Sequence, residues 1–174
     1  YMGAIASQSS SEGRKAAAGR GRARMVAPPL QERLAALTSV RPGRHRVVTC
    51  YLKLEPRDRT RGKYLIKIKN RMREALQSLP RLHLPRDVHE EVARDLARIQ
   101  ESLQDPDRLP PTHGVAVFAC EGIDLFETIA LPSVYRSRLA VDPTPLVREL
   151  ASVEDEFGRL LTVVLDRTSA RYAM

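Results

Sequence analysis

Residues Tyr64–Leu76 read YLIKIKNRMREAL, and the fold turns on the period of this stretch. Ile66-Lys67-Ile68-Lys69 alternates as a half-buried strand would. Over a longer window, Leu65, Ile68, Met72, Ala75 or Leu76, and Leu79 recur at intervals of three and four, the spacing of one buried helical stripe. The helical period spans more residues, so the alternation is a local coincidence. A long helix is predicted over 61–79, with Pro80 ending it.

Downstream, a second helix is predicted from Pro85 to Leu103, with proline in its first turn and Val88, Val92, Leu96, Ile99 and Leu103 as its stripe. Asp87, Glu90 and Glu91 suit its positive end. A short proline-containing turn between the two helices makes them an antiparallel hairpin. Upstream, His45–Leu54 reads HRVVTCYLKL, a strand in which Val48, Cys50, Leu52 and Leu54 form an entirely apolar set. Glu55–Thr60 reads as a polar connection, and Leu30–Leu37 as a short helix. Beyond the hairpin, GVAVFAC (Gly114–Cys120) and IDLFETIAL (Ile123–Leu131) flank Glu121-Gly122 as a β-hairpin. Tyr135–Val141 reads as a third strand, Leu146–Glu154 as a helix, Leu160–Asp166 as an apolar strand and Arg171–Ala173 as a last one. The order of these pieces predicts an α+β fold: a mixed or antiparallel sheet with a packed helical hairpin, plus the first strands of a following domain. The predicted divisions are 1–24, a disordered basic arm or an expression remnant; 25–155, the folded domain; and 156–174, the start of an incomplete second one.

The 174 residues carry a net charge of +8, unevenly spread. Residues 41–73 hold twelve basic residues and two acids, Glu55 and Asp58, whereas 74–174 are net acidic. On the long helix Lys63, Lys67 and Arg71 form one i, i+4 row, with Lys69 and Arg73 on the other flank and Glu74 as its sole acid. Like charges at that spacing destabilise a helix by a few tenths of a kcal/mol per pair. On the second helix, by contrast, Glu90–Arg94 and Asp95–Arg98 pair. A solvated face is the plain reading of the first helix; Arg41, Arg44, Arg46, Arg57 and Arg59 beside it favour a polyanion, with phosphate contacts and salt-sensitive binding. Tyr51 and Tyr64 are the nearest aromatics, and neither is placed as a base-stacking residue. The signal is for backbone and shape recognition of RNA.

Other chemistry is sparse. His83 and His89 stand six apart with no carboxylate pair, and His45 and His113 stand alone, so surface or loop histidines are expected and no metal site or cofactor. Cys50 and Cys120 read as buried free thiols in a reducing, cytoplasmic compartment. No apolar run approaches the roughly eighteen residues of a membrane span, and residues 1–24 lack the apolar middle of a secretory signal. Asp166 ends an apolar strand, a position open to a catalytic acid, although a simple strand-to-turn residue is the plainer account.

The succession VVTCYLKL (47–54), two helices, GVAVFAC, IDLFETIALP and EDEFGRLLTVVLD (154–166) resembles the N-terminal domain of archaeal and eukaryotic class I release factors and their relative Pelota, above all in their bacterial homologues. VVTCYLKLEPR and VVLDRTSARYA are the segments most similar to the bacterial proteins. Lys67-Ile68-Lys69-Asn70 matches the codon-reading motif Asn-Ile-Lys-Ser only at Ile68 and Lys69, so stop-codon recognition is not carried over. The catalytic Gly-Gly-Gln is absent from this sequence, and the resemblance implies no peptidyl-tRNA hydrolysis by this polypeptide. It does imply a partner. In that family the N-terminal domain enters the ribosomal A site and contacts ribosomal RNA, and bacterial relatives are associated with ribosome rescue or hibernation. The expectation is therefore a non-catalytic ribosome-binding domain with a termination-like or rescue role, contacting rRNA through Lys63, Lys67, Lys69, Arg71 and Arg73, with Arg57 and Arg59 at the rim. Its alternatives are a fragment of a tRNA-acting hydrolase or nuclease, and a protein-interaction module.

Overall fold

The computed structural model describes residues 28–157, together with the backbone of two short strands at 162–165 and 170–173. The anticipated arm at 1–24 and Asp166 lie outside the described residues.

The chain enters through α1 (Leu30–Ser39) and runs into β1 (Val47–Lys53). The predicted polar connection contains a single helical turn, α2 (Pro56–Thr60), opened by proline at its first position. Gly62 follows at φ 61°, a left-handed conformation in which a Cβ is disfavoured. That kink separates α2 from α3 (Lys63–Ser78), so the long helix starts two residues later than its sequence suggests. Leu79–Leu82 tightens into a 3₁₀ turn around Pro80, and His83, at φ 50°, reverses the chain into α4 (Arg86–Gln104). The antiparallel hairpin of helices is thus as predicted.

The sheet is built from β1, β2 (Gly114–Cys120), β3 (Leu125–Leu131) and β4 (Arg138–Asp142), in the order β3-β2-β1-β4 with every pairing antiparallel. The β2–β3 hairpin is as expected, with Glu121–Ile123 forming one 3₁₀ turn and Asp124 in the left-handed region. The third predicted strand begins at Arg138 rather than Tyr135, because Ser133–Ser137 form a connection that crosses from one sheet edge to the other. α5 (Arg148–Phe157) starts after the predicted Leu146 and runs past the expected domain boundary at 155/156. β5 (Thr162–Leu165) and β6 (Ala170–Ala173) pair with each other in a separate two-stranded sheet, Val164 opposite Arg171.

β1 is buried on both faces, which its alternating pattern does not disclose. Val48, Cys50 and Leu52 pack with Val115 and Val117 against Ile68, Met72, Val92, Leu96 and Ile99 of the hairpin. Tyr51 faces the other way, with Phe118, Ile129 and Leu131, against Leu37, Leu150 and Val153 from α1 and α5. The molecule is therefore three layers, with the sheet between the α3–α4 hairpin and the α1–α5 pair. Thr49 and Tyr51 are tolerated inside because Leu146 satisfies them: its N–H donates to Thr49 Oγ1 at 3.2 Å and its carbonyl accepts from the Tyr51 hydroxyl at 2.7 Å. Both cysteines are buried free thiols, as predicted, and burial pushes Cys50 up to about 12. No helix among the described residues is long and apolar enough to cross a membrane.

α4 carries one buried carboxylate, Asp95, at 1% exposure. Its Oδ2 accepts the Glu121 N–H at 2.9 Å and pins the β2–β3 turn to the helix, while Arg98 stands 3.6 Å away. The predicted Glu90–Arg94 pair does not form: Glu90 takes Arg86 and Arg94 reaches Glu121, because the turn offers a carboxylate that the helix sequence does not show. Burial raises the Asp95 pKa. The folded chain thus keeps a proton that the unfolded chain releases, and the contribution of this group to stability falls as pH rises from the ordinary carboxylate value to the raised one. Asp95→Asn keeps an oxygen for the Glu121 N–H and removes the charge. It should leave stability within about 1 kcal/mol of the parent or raise it, with the largest gain at neutral pH, whereas Asp95→Ala should cost about 2 kcal/mol. Urea denaturation at pH 4 and pH 7 reads both; a large loss for the asparagine variant at pH 7 would show that the Arg98 attraction outweighs burial.

Candidate nucleic-acid interface

The core stripe of α3 is Tyr64, Ile68, Met72 and Leu79, with Ala75 half-buried. It is rotated from the sequence prediction. Tyr64, outside the predicted stripe, is 2% exposed, whereas Leu65 and Leu76 lie at the surface. Leu65 and Leu76 widen the apolar arc of this helix beyond its buried positions, and the side that docks is decided by the sheet. The rotation re-sorts the cations.

Lys67 and Arg71 fall toward β1 and β4 and meet carboxylates: Lys67 Nζ lies 2.5 Å from Asp58 Oδ2, and Arg71 Nη1 lies 2.9 Å from Glu74. Asp58 comes from α2, so this capping depends on a helical turn that read as a loop. Arg59 is a structural residue rather than a rim contact. Its guanidinium donates to the carbonyls of Pro110 and Thr112, tying α2 to the loop that leads into β2. Lys63, Lys69, Arg73 and Arg57 are exposed and have no ion-pair partner among the described residues.

At about 100° per residue, Arg73 and Lys63 fall with Ile66, Asn70 and Gln77 on the arc of α3 that faces away from the core, and Lys69 lies at its edge beside Gln100 and Gln104 of α4. Glu74 also lies on that arc and is already engaged by Arg71. Ile66 is 62% exposed there. The predicted contact row Lys63-Lys67-Arg71 is therefore divided, and the outward cations come from both flanks. The arginines expected beside them are elsewhere: Arg44 pairs with Asp87 at the start of α4 at 2.8 Å, while Arg41 and Arg46 donate to backbone carbonyls of their own turn.

Sequence reasoning missed Tyr135. It is 97% exposed and lines a groove of about 390 Å³ with Lys53, Lys67, Asn70, Arg71, Glu74 and Arg136. Lys53 there is paired with Glu55 at 2.6 Å, which raises its pKa. Arg136 has no ion-pair partner among the described residues. The available signal was the turn composition of Pro132-Ser133 ahead of an aromatic followed by Arg136 and Arg138, in a segment that reads equally well as a strand.

His45 is not a free loop histidine. It is largely buried, and its Nδ1 donates to Glu91 Oε2 at 2.6 Å. Among the described residues no group of three or more His, Cys, Asp or Glu side chains could hold a metal ion. No protein-family model matches the sequence, and no curated protein is significantly similar to it.

Proposed function

We propose that this chain is a non-catalytic RNA-binding domain that docks on ribosomal RNA, in the manner its resemblance to the N-terminal domain of release factors and Pelota implies, as part of a translation factor acting in ribosome rescue, hibernation or a termination-like step. The observation that carries the reading is the outward arc of α3, on which Lys63, Lys69 and Arg73 stand exposed and uncapped. Cations held apart from the protein's own carboxylates retain their full attraction for phosphates and release counterions when they bind. Lys67 and Arg71 contribute less, since a phosphate must compete with Asp58 and Glu74 for them.

Reversal of Lys63, Lys69 and Arg73 to glutamate should weaken co-sedimentation with ribosomes at low salt by at least about tenfold and lower the salt slope of binding by about 3. Neutralising Lys67 and Arg71 should do less. Unchanged pelleting of the triple reversal rejects the reading. Binding that ignores salt points instead to the exposed Leu65, Ile66 and Leu76 and to a protein partner.

A further inference from the structure

We infer that Tyr135 is a stacking platform for an unpaired base of single-stranded RNA, with Arg136 holding the adjoining phosphate. This rests on the reading of α3 as an RNA-facing helix and names the form of RNA that the groove on its Lys67–Arg71 flank would take.

Tyr135 is 97% exposed, more than any other large apolar residue described, so its aromatic face is open to a partner. Its backbone is fixed on both sides. Val134 is buried in the core layer under α5, in a niche that the missing side chain of Gly114 leaves open: a Cβ on Gly114 would overlap Val134. Ser137 Oγ accepts the Lys53 N–H at 3.0 Å and ties the other end to β1. The ring is therefore presented on a pinned connection, which lowers the ordering cost of binding.

Two cavities meet at Tyr135 and Arg136. One is the groove of about 390 Å³ shared with Lys53, Lys67 and Arg71. The other, of about 610 Å³, opens toward Ser133, Arg138, Glu149, Ser152 and Glu156 under α5. The walls carry both signs, with Lys53, Lys67, Arg71 and Arg138 each paired to a carboxylate; an open aromatic face with one uncapped cation beside it is an arrangement that binds single strands, because every base has a face to stack while the phosphate takes the charge. A duplex cannot use it, since its bases are already stacked and paired. The paired groove cations leave Arg136, one residue from the ring, as the free donor for the phosphate.

The test is fluorescence anisotropy of the full chain with a labelled ten-nucleotide single-stranded RNA and with the same sequence as a duplex. Tyr135→Ala should lose about tenfold in affinity for the single strand, with its salt slope and its duplex affinity unchanged; Tyr135→Phe, which keeps the ring, should restore binding. Thermal melting checks that the variants fold. If Tyr135→Ala binds the single strand as the parent does, while the triple reversal on α3 does not bind, the platform is wrong and the RNA-facing helix stands. Equal losses on single strand and duplex also overturn stacking. If the parent chain binds neither RNA, both readings fall together.

Discussion

Phe118→Ala should lower the free energy of unfolding by about 4 kcal/mol, the middle of the range for removing a fully buried aromatic side chain. Phe118 is fully buried on β2, an interior strand, and its ring meets Tyr51 edge to face at 6.0 Å and 86°. Among the described residues its layer is closed by the ten-residue helices α1 and α5, with Val134 and Val147 from the connections. Collapse into the space it leaves is opposed on one side by the sheet. On the other, Tyr51 is held by its hydroxyl to Leu146, so that ring cannot swing in without giving up a buried hydrogen bond. Phe118→Leu keeps most of the volume and should cost about 1.5 kcal/mol or less. Urea or guanidinium titration with an unchanged m-value is the measurement. A loss below about 2 kcal/mol for the alanine variant would mean that α1 and α5 follow the cavity inward and do not form a fixed layer.

That layer shows where the sequence is informative and where it stops. β1, β2 and the α4 stripe could be read because their apolar residues are nearly unbroken at one period, and no rival period covers as many residues. The second buried face of β1 could not, because Thr49 and Tyr51 are acceptable inside only through a partner at Leu146, almost a hundred residues away. The docking side of α3 was ambiguous for a different reason. Tyr64, Leu65, Ile68, Met72, Leu76 and Leu79 make the apolar arc wider than the contact it forms, and a small rotation exchanges Tyr64 for Leu65. The charges inherit that ambiguity. Whether Lys67 is a free cation depends on the position of Asp58, and hence on one turn of helix between Glu55 and Gly62. Tyr135 was hidden because its exposure follows from two anchors in other elements, Gly114 and the Lys53 backbone, and local pattern carries neither.

Gly122→Ala should destabilise the fold by about 3 kcal/mol although the residue lies at the surface. The backbone there is compatible with alanine; the obstacle is His45, whose imidazole occupies the space a Cβ would enter. The ring cannot step aside freely, because its Nδ1 is held by Glu91 on α4 at 2.6 Å. Either His45 moves and leaves a mostly buried carboxylate without its partner, or the β2–β3 turn moves and pulls the Glu121 N–H from Asp95 and the Glu121 carboxylate from Arg94. Both routes break a polar contact that joins α4 to the sheet. A double-mutant cycle separates this account from a general dislike of side chains in the turn. His45→Ala alone loses the contact with Glu91 and should cost about 2 kcal/mol. Adding Gly122→Ala to it should cost almost nothing more, since the clash has gone. Strictly additive losses would show that the glycine is needed for the turn itself, and that His45 and Gly122 are neighbours without being a lock.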